Sequence, residues 1–223
     1  MTADAPARTD QMIQLAVQDE LNWTSDVHAA QIGVAVEHGT VTLSGEVRTY
    51  VERVSACRAA LRVHGVRTLV DDLAVHSERS LTISETDFAE RVQSALTGDA
   101  FVPESVKAEI HGRSVVLVGE VHWDYERESA RKALARVNGI EDITSMITLR
   151  ARPSASDALQ RISEALVRDA TVDAHRIKAH LDGTRLTLSG TVSSWPERRA
   201  AERAAWSSPS ITHLQNDLVV TSY

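Results

Sequence analysis

The nine histidines of this sequence are the residues best suited to binding a transition metal. They are scattered along the chain, with no pair at positions i and i+4 beside a carboxylate. The only cysteine, Cys57, excludes an internal disulfide and a cysteine-based zinc site. Most of the histidines fall at predicted turns or surfaces. We therefore expect solvated histidines, no metal site and no other cofactor.

The serines of two Leu-Ser-Gly segments are the candidate nucleophiles. Ser44 and Ser189 lie in alternating apolar patterns typical of strands, and a third such segment has Val118 at the same place. The sequence lacks G-x-S-x-G, which forms a nucleophile turn, and also lacks the glycine-rich patterns G-x-G-x-x-G and G-x-x-x-x-G-K, which hold phosphates. We therefore predict that the protein is not an enzyme.

Aromatic residues gather where a predicted strand passes into a predicted helix. Tyr50 and Trp195 hold aligned places in two segments, and Trp123 and Tyr125 flank the aligned Asp124 in a third. One interpretation is that each ring covers the edge of its own hydrophobic core. The other is that the rings form a contact surface or pack between parts of the chain, because tryptophan and tyrosine are favoured at interfaces. These four aromatic residues are the candidate site, and the sequence leaves both interpretations open.

The aligned places belong to three copies of one sequence pattern. VTLSGEV at 41–47 recurs as VVLVGEV at 115–121 and as LTLSGTV at 186–192. Identical residues in all copies are Leu43, Leu117 and Leu188; Gly45, Gly119 and Gly190; Val47, Val121 and Val192; Glu52, Glu126 and Glu197; Arg53, Arg127 and Arg198; Ala56, Ala130 and Ala201; and Ala59, Ala133 and Ala204. Chance gives fewer than about one such triple identity in a stretch of this length. We therefore predict three tandem domains, near residues 9–78, 84–151 and 154–223.

Each copy begins with a predicted amphipathic helix and a hairpin. Apolar residues recur at helical spacing at Ile13, Val17 and Leu21, at Phe88, Val92 and Leu96, and at Leu159, Ile162 and Leu166. The predicted N-caps of these helices are Thr9, Thr86 and Ser156. The alternating apolar residues around His38-Gly39 predict a β-hairpin, and the turn glycine of the later copies, Gly112 or Gly183, stands one place earlier. We expect a different turn conformation there with the same strand register.

An alanine-rich helix and a third strand complete each copy. The capping-box patterns that begin this helix are Thr49-x-x-Glu52 and Ser194-x-x-Glu197. In the second copy Asp124 is the predicted cap, and Gly65 and Gly139 are predicted to end their helices in left-handed conformations. Gly119, in the middle of a strand, indicates that a helix backbone or a ring packs over it. The fold class is therefore α+β, with three tandem α-β-β-α-β units, each with two helices packed on one face of a three-stranded mixed sheet.

These units resemble the BON domain of bacterial osmotically inducible and outer-membrane-associated proteins. The resemblance is carried by DEL at 19–21, by GTVTLSGEV at 39–47, by Glu52-Arg53 with the alanine helix, and by Gly65-Val66 before the last strand. GEVHWDY at 119–125 and RAAW at 203–206 look like segments of triple-domain members. The family's asparagine before the last strand is matched only by Asn216. The copies cover nearly the whole chain.

The resemblance implies a range of functions without choosing one. Members of the family bind phospholipid at envelopes, assist other proteins as osmotic-stress factors or, when joined to another module, sense potassium. We favour a non-enzymatic, stress-associated binding or scaffold protein, whose partners are other proteins or a second copy of this chain. The alternative is a protein that binds phospholipid or a membrane surface.

Composition and charge exclude several classes. The 43% of hydrophobic residues exceeds what a disordered chain contains, and no apolar run is long enough to span a membrane. The formal charge of −7 argues against nucleic acid as a partner, because such binding needs a basic face. The lack of a lysine cluster also argues against an anionic membrane surface. Because the N-terminus has no hydrophobic leader, we expect a cytoplasmic protein, and a native leader missing from this sequence would make it periplasmic.

Overall fold

The three sequence copies form three similar units in a computed structural model, which describes residues 9–76, 83–150, 158–168, 173–208 and 210–221. Unit one contains α1 (Asp10–Trp23), β1 (Ile32–Glu37), β2 (Thr40–Val47), α2 (Tyr50–Ala60) and β3 (Thr68–Val75). Unit two contains α3 (Glu85–Thr97), β4 (Lys107–His111), β5 (Ser114–Val118), β6 (Glu120–Val121), α4 (Asp124–Ala135), β7 (Asp142–Ser145) and β8 (Thr148–Leu149). Unit three contains α5 (Ala158–Arg168), β9 (Ile177–Asp182), β10 (Arg185–Val192), α6 (Trp195–Trp206) and β11 (His213–Val220).

Each unit has a mixed sheet whose central strand is the second strand of the hairpin. β2 pairs antiparallel with β1 and parallel with β3, and β10 pairs in the same way with β9 and β11. The hairpins keep one register: Glu37 faces Thr40, His111 faces Ser114, and Asp182 faces Arg185. The two helices of a unit pack on each other and on one face of its sheet. The predicted α+β class with repeated units is confirmed.

The hydrophobic core of each unit lies between its sheet and its helices. Leu43, Leu117 and Leu188 are fully buried at equivalent places on the central strands, as the repeat predicts. The predicted apolar stripe of α5 is wrong at one residue, since Leu159 is exposed and Ala158 is buried in its place. Alanines on α2, α4 and α6 are also buried, which lets these helices approach their sheets closely.

The strands of unit two are interrupted at Gly119. Its φ of +136° lies in a region that L side chains rarely adopt, and β5 ends just before it. The pairing nevertheless continues past the break, because the N–H of Met146 donates to the Leu117 carbonyl at 2.7 Å and the N–H of Thr148 donates to the Gly119 carbonyl at 2.9 Å. The interruption is therefore a local bend in one continuous ladder.

A backbone carbonyl packs directly over this glycine. A Cβ atom on Gly119 would overlap the carbonyl oxygen of Ser105 and lie 3.1 Å from the carbonyl carbon of Ser105 and from the Cα of Val106. Gly45 and Gly190 face the carbonyls of Gln31 and Arg176 in the same way. We expected a helix backbone or a ring over Gly119, and this was wrong. The group that packs over it is the backbone of the segment leading into the first strand of the unit.

Of the predicted N-caps of the first helices, one is confirmed and one is wrong. Thr9 is the N-cap of α1, and its hydroxyl accepts the N–H of Met12 at 3.4 Å. The N-cap of α3 is Ser84, so the prediction of Thr86 was wrong, because Ser84 Oγ accepts an N–H of the first turn. Ser156 lies outside the described residues.

Two predicted boundaries of the second helices are also corrected. Asp124 is the first residue of α4, and the N-cap is Trp123. Gly65 and Gly139 have the predicted left-handed φ, at +98° and +93°. α2 and α4 end about one turn before these glycines, however, so the glycines shape the loops into the third strands.

Candidate functional site: the junctions between units

The N-terminus of α2, which carries Tyr50, is fixed by a buried glutamate. The Thr49 hydroxyl accepts the N–H of Glu52 at 3.1 Å, and the Glu52 carboxylate accepts the N–H groups of His28 and Arg48, each at 2.8 Å. Burial alone would raise the pKa of Glu52, but these N–H groups and the His28 ring hold it below its usual range. The carboxylate thus ties the loop after α1 and the end of β2 to the start of α2.

The same arrangement fixes Trp195 at the N-terminus of α6. Ser194 caps the helix, and the buried Glu197 carboxylate accepts the N–H groups of Asp173 at 2.9 Å and Ser193 at 2.7 Å. Burial alone would raise the pKa of Glu197, but the Ser193 hydroxyl and these N–H groups hold it below its usual range. Both aromatic residues therefore begin helices whose orientation is set by buried hydrogen bonds.

Tyr50 contacts the next unit. Its partly buried ring packs against the hydrophobic core of unit two. Burial alone would lower the pKa of Arg131 of α4, but Glu128 and the Tyr50 hydroxyl stabilise its charge and raise it. Arg53, one turn after Tyr50, donates from Nη1 to the backbone carbonyl of Glu141 at 3.5 Å. The start of α2 thus forms the junction of units one and two.

The start of α4 makes an equivalent contact with unit three. The guanidinium of Arg127 lies 4.7 Å from the ring centroid of Trp206, a cation–π contact, and is paired with the carboxylate of Asp124. The Trp206 ring packs against the cores of both units. Burial raises the pKa of Asp124, and Arg127 offsets only part of this effect. Asp124 here acts as the ion-pair partner that orients Arg127.

The start of α6 closes the series on unit one. The Trp195 ring packs, partly buried, against the hydrophobic core of unit one, and its Nε1–H donates to the backbone carbonyl of Arg67 at 3.2 Å. The guanidinium of Arg198 lies 5.3 Å from the centroid of the same ring. Arg67 and Glu141 hold aligned places in the repeat. The backbone carbonyl at this place therefore accepts a side-chain N–H at two of the three junctions.

The three junctions form a closed cycle. Unit one contacts unit two through α2, unit two contacts unit three through α4, and unit three contacts unit one through α6. Head-to-tail contacts of this kind form a ring when the rotation from one unit to the next brings the last unit back to the first. Here the ring closes within a single chain. The ends of the second helices therefore hold the three units in one defined arrangement.

Trp123 and Tyr125 lie differently from Tyr50 and Trp195. They are 37% and 53% exposed, and the Tyr125 ring packs edge to face on Phe101, with centroids 6.3 Å apart. Phe101, in the loop between α3 and β4, is itself 64% exposed. We call Phe101, Trp123 and Tyr125 the exposed aromatic surface. The structure thus divides the four candidate residues into two junction residues and two members of this surface.

Sequence reasoning missed three participants. Phe101 gave no signal because it is a single aromatic residue in a polar loop. Trp206 was noted only within RAAW at 203–206, a segment that resembles triple-domain members, and not as a contact residue. Arg127 had a signal, since Arg53, Arg127 and Arg198 are identical in all copies. Two of these arginines reach into the next unit, and the third stacks on a ring that does so.

The residues that the structure describes contain no group of three or more histidine, cysteine, aspartate or glutamate side chains placed to hold a metal ion. They also contain no helix that is long and apolar enough to cross a membrane.

Comparison with protein families gives one result, repeated along the chain. The family model described as "BON domain" matches residues 9–77, 84–151 and 154–222. These three matches together take in most of the sequence. No curated protein matches the chain.

Two solved structures show a distant similarity to this chain. The C-terminal domain of CdsD, described as the structural protein of the type III secretion system of Chlamydia trachomatis, is 10% identical, with 96% of this chain and 98% of that chain covered and a TM-score of 0.26. The PrgH periplasmic domain is 12% identical, with 86% and 95% covered and a TM-score of 0.21.

Proposed function

The chain belongs to the BON domain family, with three copies of the domain, and from this premise we propose that it is a non-enzymatic, stress-associated binding or scaffold protein. Its partners in this proposal are other proteins or a second copy of the chain. The family supports a binding role in stress or at membranes.

One observation carries the proposal, namely the exposed aromatic surface of unit two. At the junctions of unit one with units two and three, the aromatic residues at the helix start are used inside the chain. Unit two instead meets its neighbour through Arg127, and its aromatic residues Trp123 and Tyr125 stay exposed with Phe101. Tryptophan and tyrosine provide much of the binding energy at protein interfaces, because they bury large areas at low entropic cost.

The closed cycle of units supports a scaffold rather than a flexible chain of modules. A surface held in one orientation binds with a smaller loss of conformational freedom than a surface on a mobile domain. The buried Glu52 and Glu197 carboxylates contribute to this, because they fix the helix starts that form two of the junctions. We infer that the aromatic surface is presented in a fixed orientation relative to units one and three.

The experiment compares capture of partners by three versions of the full chain. The wild type, the double variant Trp123→Ala/Tyr125→Ala and the control variant Trp23→Ala are used as baits in extracts of osmotically stressed and unstressed bacteria. Trp23 is 88% exposed on α1 and lies outside the aromatic surface, so its replacement removes an exposed tryptophan elsewhere. We expect partners enriched after stress to bind the wild type and Trp23→Ala and to be lost from the double variant.

The outcomes separate the proposal from its alternative. A partner identified by capture is then purified and titrated against the same three proteins, and sedimentation velocity tests self-association. Equal affinity for all three baits would contradict the proposed surface. Flotation with phosphatidylethanolamine and phosphatidylglycerol vesicles tests lipid binding. If the double variant lost only vesicle binding, the function would be that of a membrane-surface protein.

A further inference from the structure

β9, the first strand of unit three, lies at the edge of its sheet. It pairs with β10 and with no other strand among the described residues. A two-residue turn joins Asp182 to Arg185, which are paired across the hairpin. Because backbone groups alternate in direction along a strand, the N–H and C=O groups of Ala179 and Leu181 point away from β10. In the part of the chain that the structure describes, no donor or acceptor bonds to these outward groups.

The equivalent edge of unit one is covered by a side chain. Gln14 of α1 donates from Nε2 to the outward carbonyl of Val34 on β1 at 2.7 Å. Val34 and Ala179 hold aligned places in the repeat, but the residue aligned with Gln14 is Leu159, whose side chain has no hydrogen-bond donor. β9 therefore lacks the cover that β1 has.

The opposite edge of the sheet of unit three is covered as well. Arg198 of α6 donates from Nη2 to the Asn216 carbonyl at 2.7 Å and from Nε to the Leu218 carbonyl at 3.1 Å. These groups of β11 face away from β10, since the Leu218 N–H donates to the Asn216 side chain instead of to β10. An uncovered edge strand is a template for another strand, and β9 is the edge of unit three that stays uncovered.

The exposed side chains of β9 fit a second copy of the same strand. Lys178, His180 and Asp182 are exposed, and alternation along the strand places them on the face of the sheet that the helices do not cover. When two β9 strands pair antiparallel with His180 on the two-fold axis, Lys178 of each copy stands directly opposite Asp182 of the other. A lysine normally protects an edge strand from pairing, but here the carboxylate at the symmetric position neutralises it.

The aligned strand of unit two lacks this complementarity. β4 carries Lys107, Glu109 and His111 at the same places. The same two-fold pairing of β4 would set Glu109 against its own copy and Lys107 opposite His111, and like charges directly opposite each other destabilise a strand pair. Cover by Gln14 and charge therefore disfavour β1 and β4, respectively, and both features favour β9.

We propose that two copies of this chain associate through β9, as a two-fold antiparallel pair with His180 on the axis. Ala179 of each copy then exchanges both of its outward backbone hydrogen bonds with Leu181 of the other, which joins the two sheets of unit three into one continuous sheet. Because a single strand pair is a small interface, the dimer is weak and concentration-dependent. The pairing uses unit three, whereas the proposed function rests on the exposed aromatic surface of unit two, so each can fail without the other.

Charge reversals test the pairing and its register. Sedimentation velocity over a concentration series compares the full-length wild type with Lys178→Asp, Asp182→Lys and the variant that carries both changes. Each single reversal sets like charges opposite each other at both ends of the strand pair, so we expect it to weaken self-association by about tenfold. The double variant restores opposite charges and should associate like the wild type. Equal association of all four proteins, or a folded double variant that stays monomeric, would overturn the proposal.

Proline variants test the backbone part of the pairing. Ala179→Pro removes an outward N–H that makes no hydrogen bond within its unit, and the control Ala108→Pro makes the same change at the aligned place on β4. We expect Ala179→Pro to abolish self-association and Ala108→Pro to leave it unchanged. Thermal unfolding followed by circular dichroism shows whether either variant has lost its fold. Association that persists in Ala179→Pro, or that both folded variants lose equally, would contradict pairing through β9.

The same measurement separates the strand edge from the exposed aromatic surface. The double variant Trp123→Ala/Tyr125→Ala should dimerise like the wild type, because its changes lie in unit two. If that variant were monomeric while Lys178→Asp associated normally, self-association would belong to the aromatic surface and the pairing of β9 would be wrong. A wild type that stays monomeric throughout the concentration series would also overturn the pairing, and it would leave capture of other proteins by the aromatic surface untouched.

Discussion

Replacing Gly119 by valine should destabilise unit two strongly. The new Cβ would overlap the carbonyl oxygen of Ser105, which is backbone and cannot rotate away as a side chain would. The φ of +136° adds strain, because residues held in such sparsely populated regions cost about 1–3 kcal/mol. Alanine is the sharper test, since it adds only the Cβ atom. With the displaced strand included, we expect a loss of about 2–4 kcal/mol in the free energy of unfolding for Gly119→Ala, and more for valine.

The chain provides a matched control in Gly112. This glycine also has a positive φ, +62°, but a Cβ placed on it would meet no atom within 4 Å. Gly112→Ala should therefore cost only the left-handed strain, about 1–2 kcal/mol. Both variants are unfolded in urea, with circular dichroism and tryptophan fluorescence as probes. Equal losses for Gly112→Ala and Gly119→Ala would refute the argument that the Ser105 carbonyl excludes a side chain.

Three further predictions concern groups with defined surroundings. Glu52 and Glu197 have lowered pKa values in the folded state, so they stabilise the fold above about pH 4.3, and this stabilisation is lost as the pH falls further. In an acid titration, Glu52→Gln should therefore lose less of its free energy of unfolding than the wild type does. Trp195→Ala should lower stability by about 1–3 kcal/mol and expand the chain in small-angle scattering, whereas Trp123→Ala should change neither, and equal effects would contradict the division of these residues. Burial, with Asp71 nearby, raises the pKa of the Cys57 thiol to about 12, so maleimide at pH 8 should label it much more slowly in the folded protein than in urea, and equal rates would be inconsistent with this environment.

The unit fold could be predicted because its signals are local. Helical spacing, strand alternation and capping patterns each depend on residues a few positions apart, and three copies allowed the same interpretation to be checked three times. The errors in the helix caps fall where a nearby residue competes for the same role. Ser84 offers α3 a hydroxyl two positions before Thr86, and α4 begins at Asp124 itself, after Trp123.

The junctions could not be predicted because their partners are distant in sequence. Nothing near Trp195 indicates that its Nε1–H donates to Arg67, which is more than a hundred residues away. From the sequence, Trp195 and Trp123 were the same kind of candidate, because both stand at the aligned start of the second helix. Only the packing of the second helices separates a ring that is partly buried against another unit from a ring that stays exposed.

The chemistry of the junctions explains how one chain can order three similar units. If all junctions were alike, any helix start would fit any neighbouring unit, and alternative arrangements would compete. Instead, unit one presents a tyrosine, unit two an arginine that stacks on Trp206, and unit three a tryptophan that donates to the Arg67 carbonyl. If the units were arranged in another order around the cycle, the Arg127 guanidinium would face a unit without Trp206, and the Trp206 ring would lose its cation. Divergence of residues at aligned places therefore supplies the specificity that repetition of the fold removes.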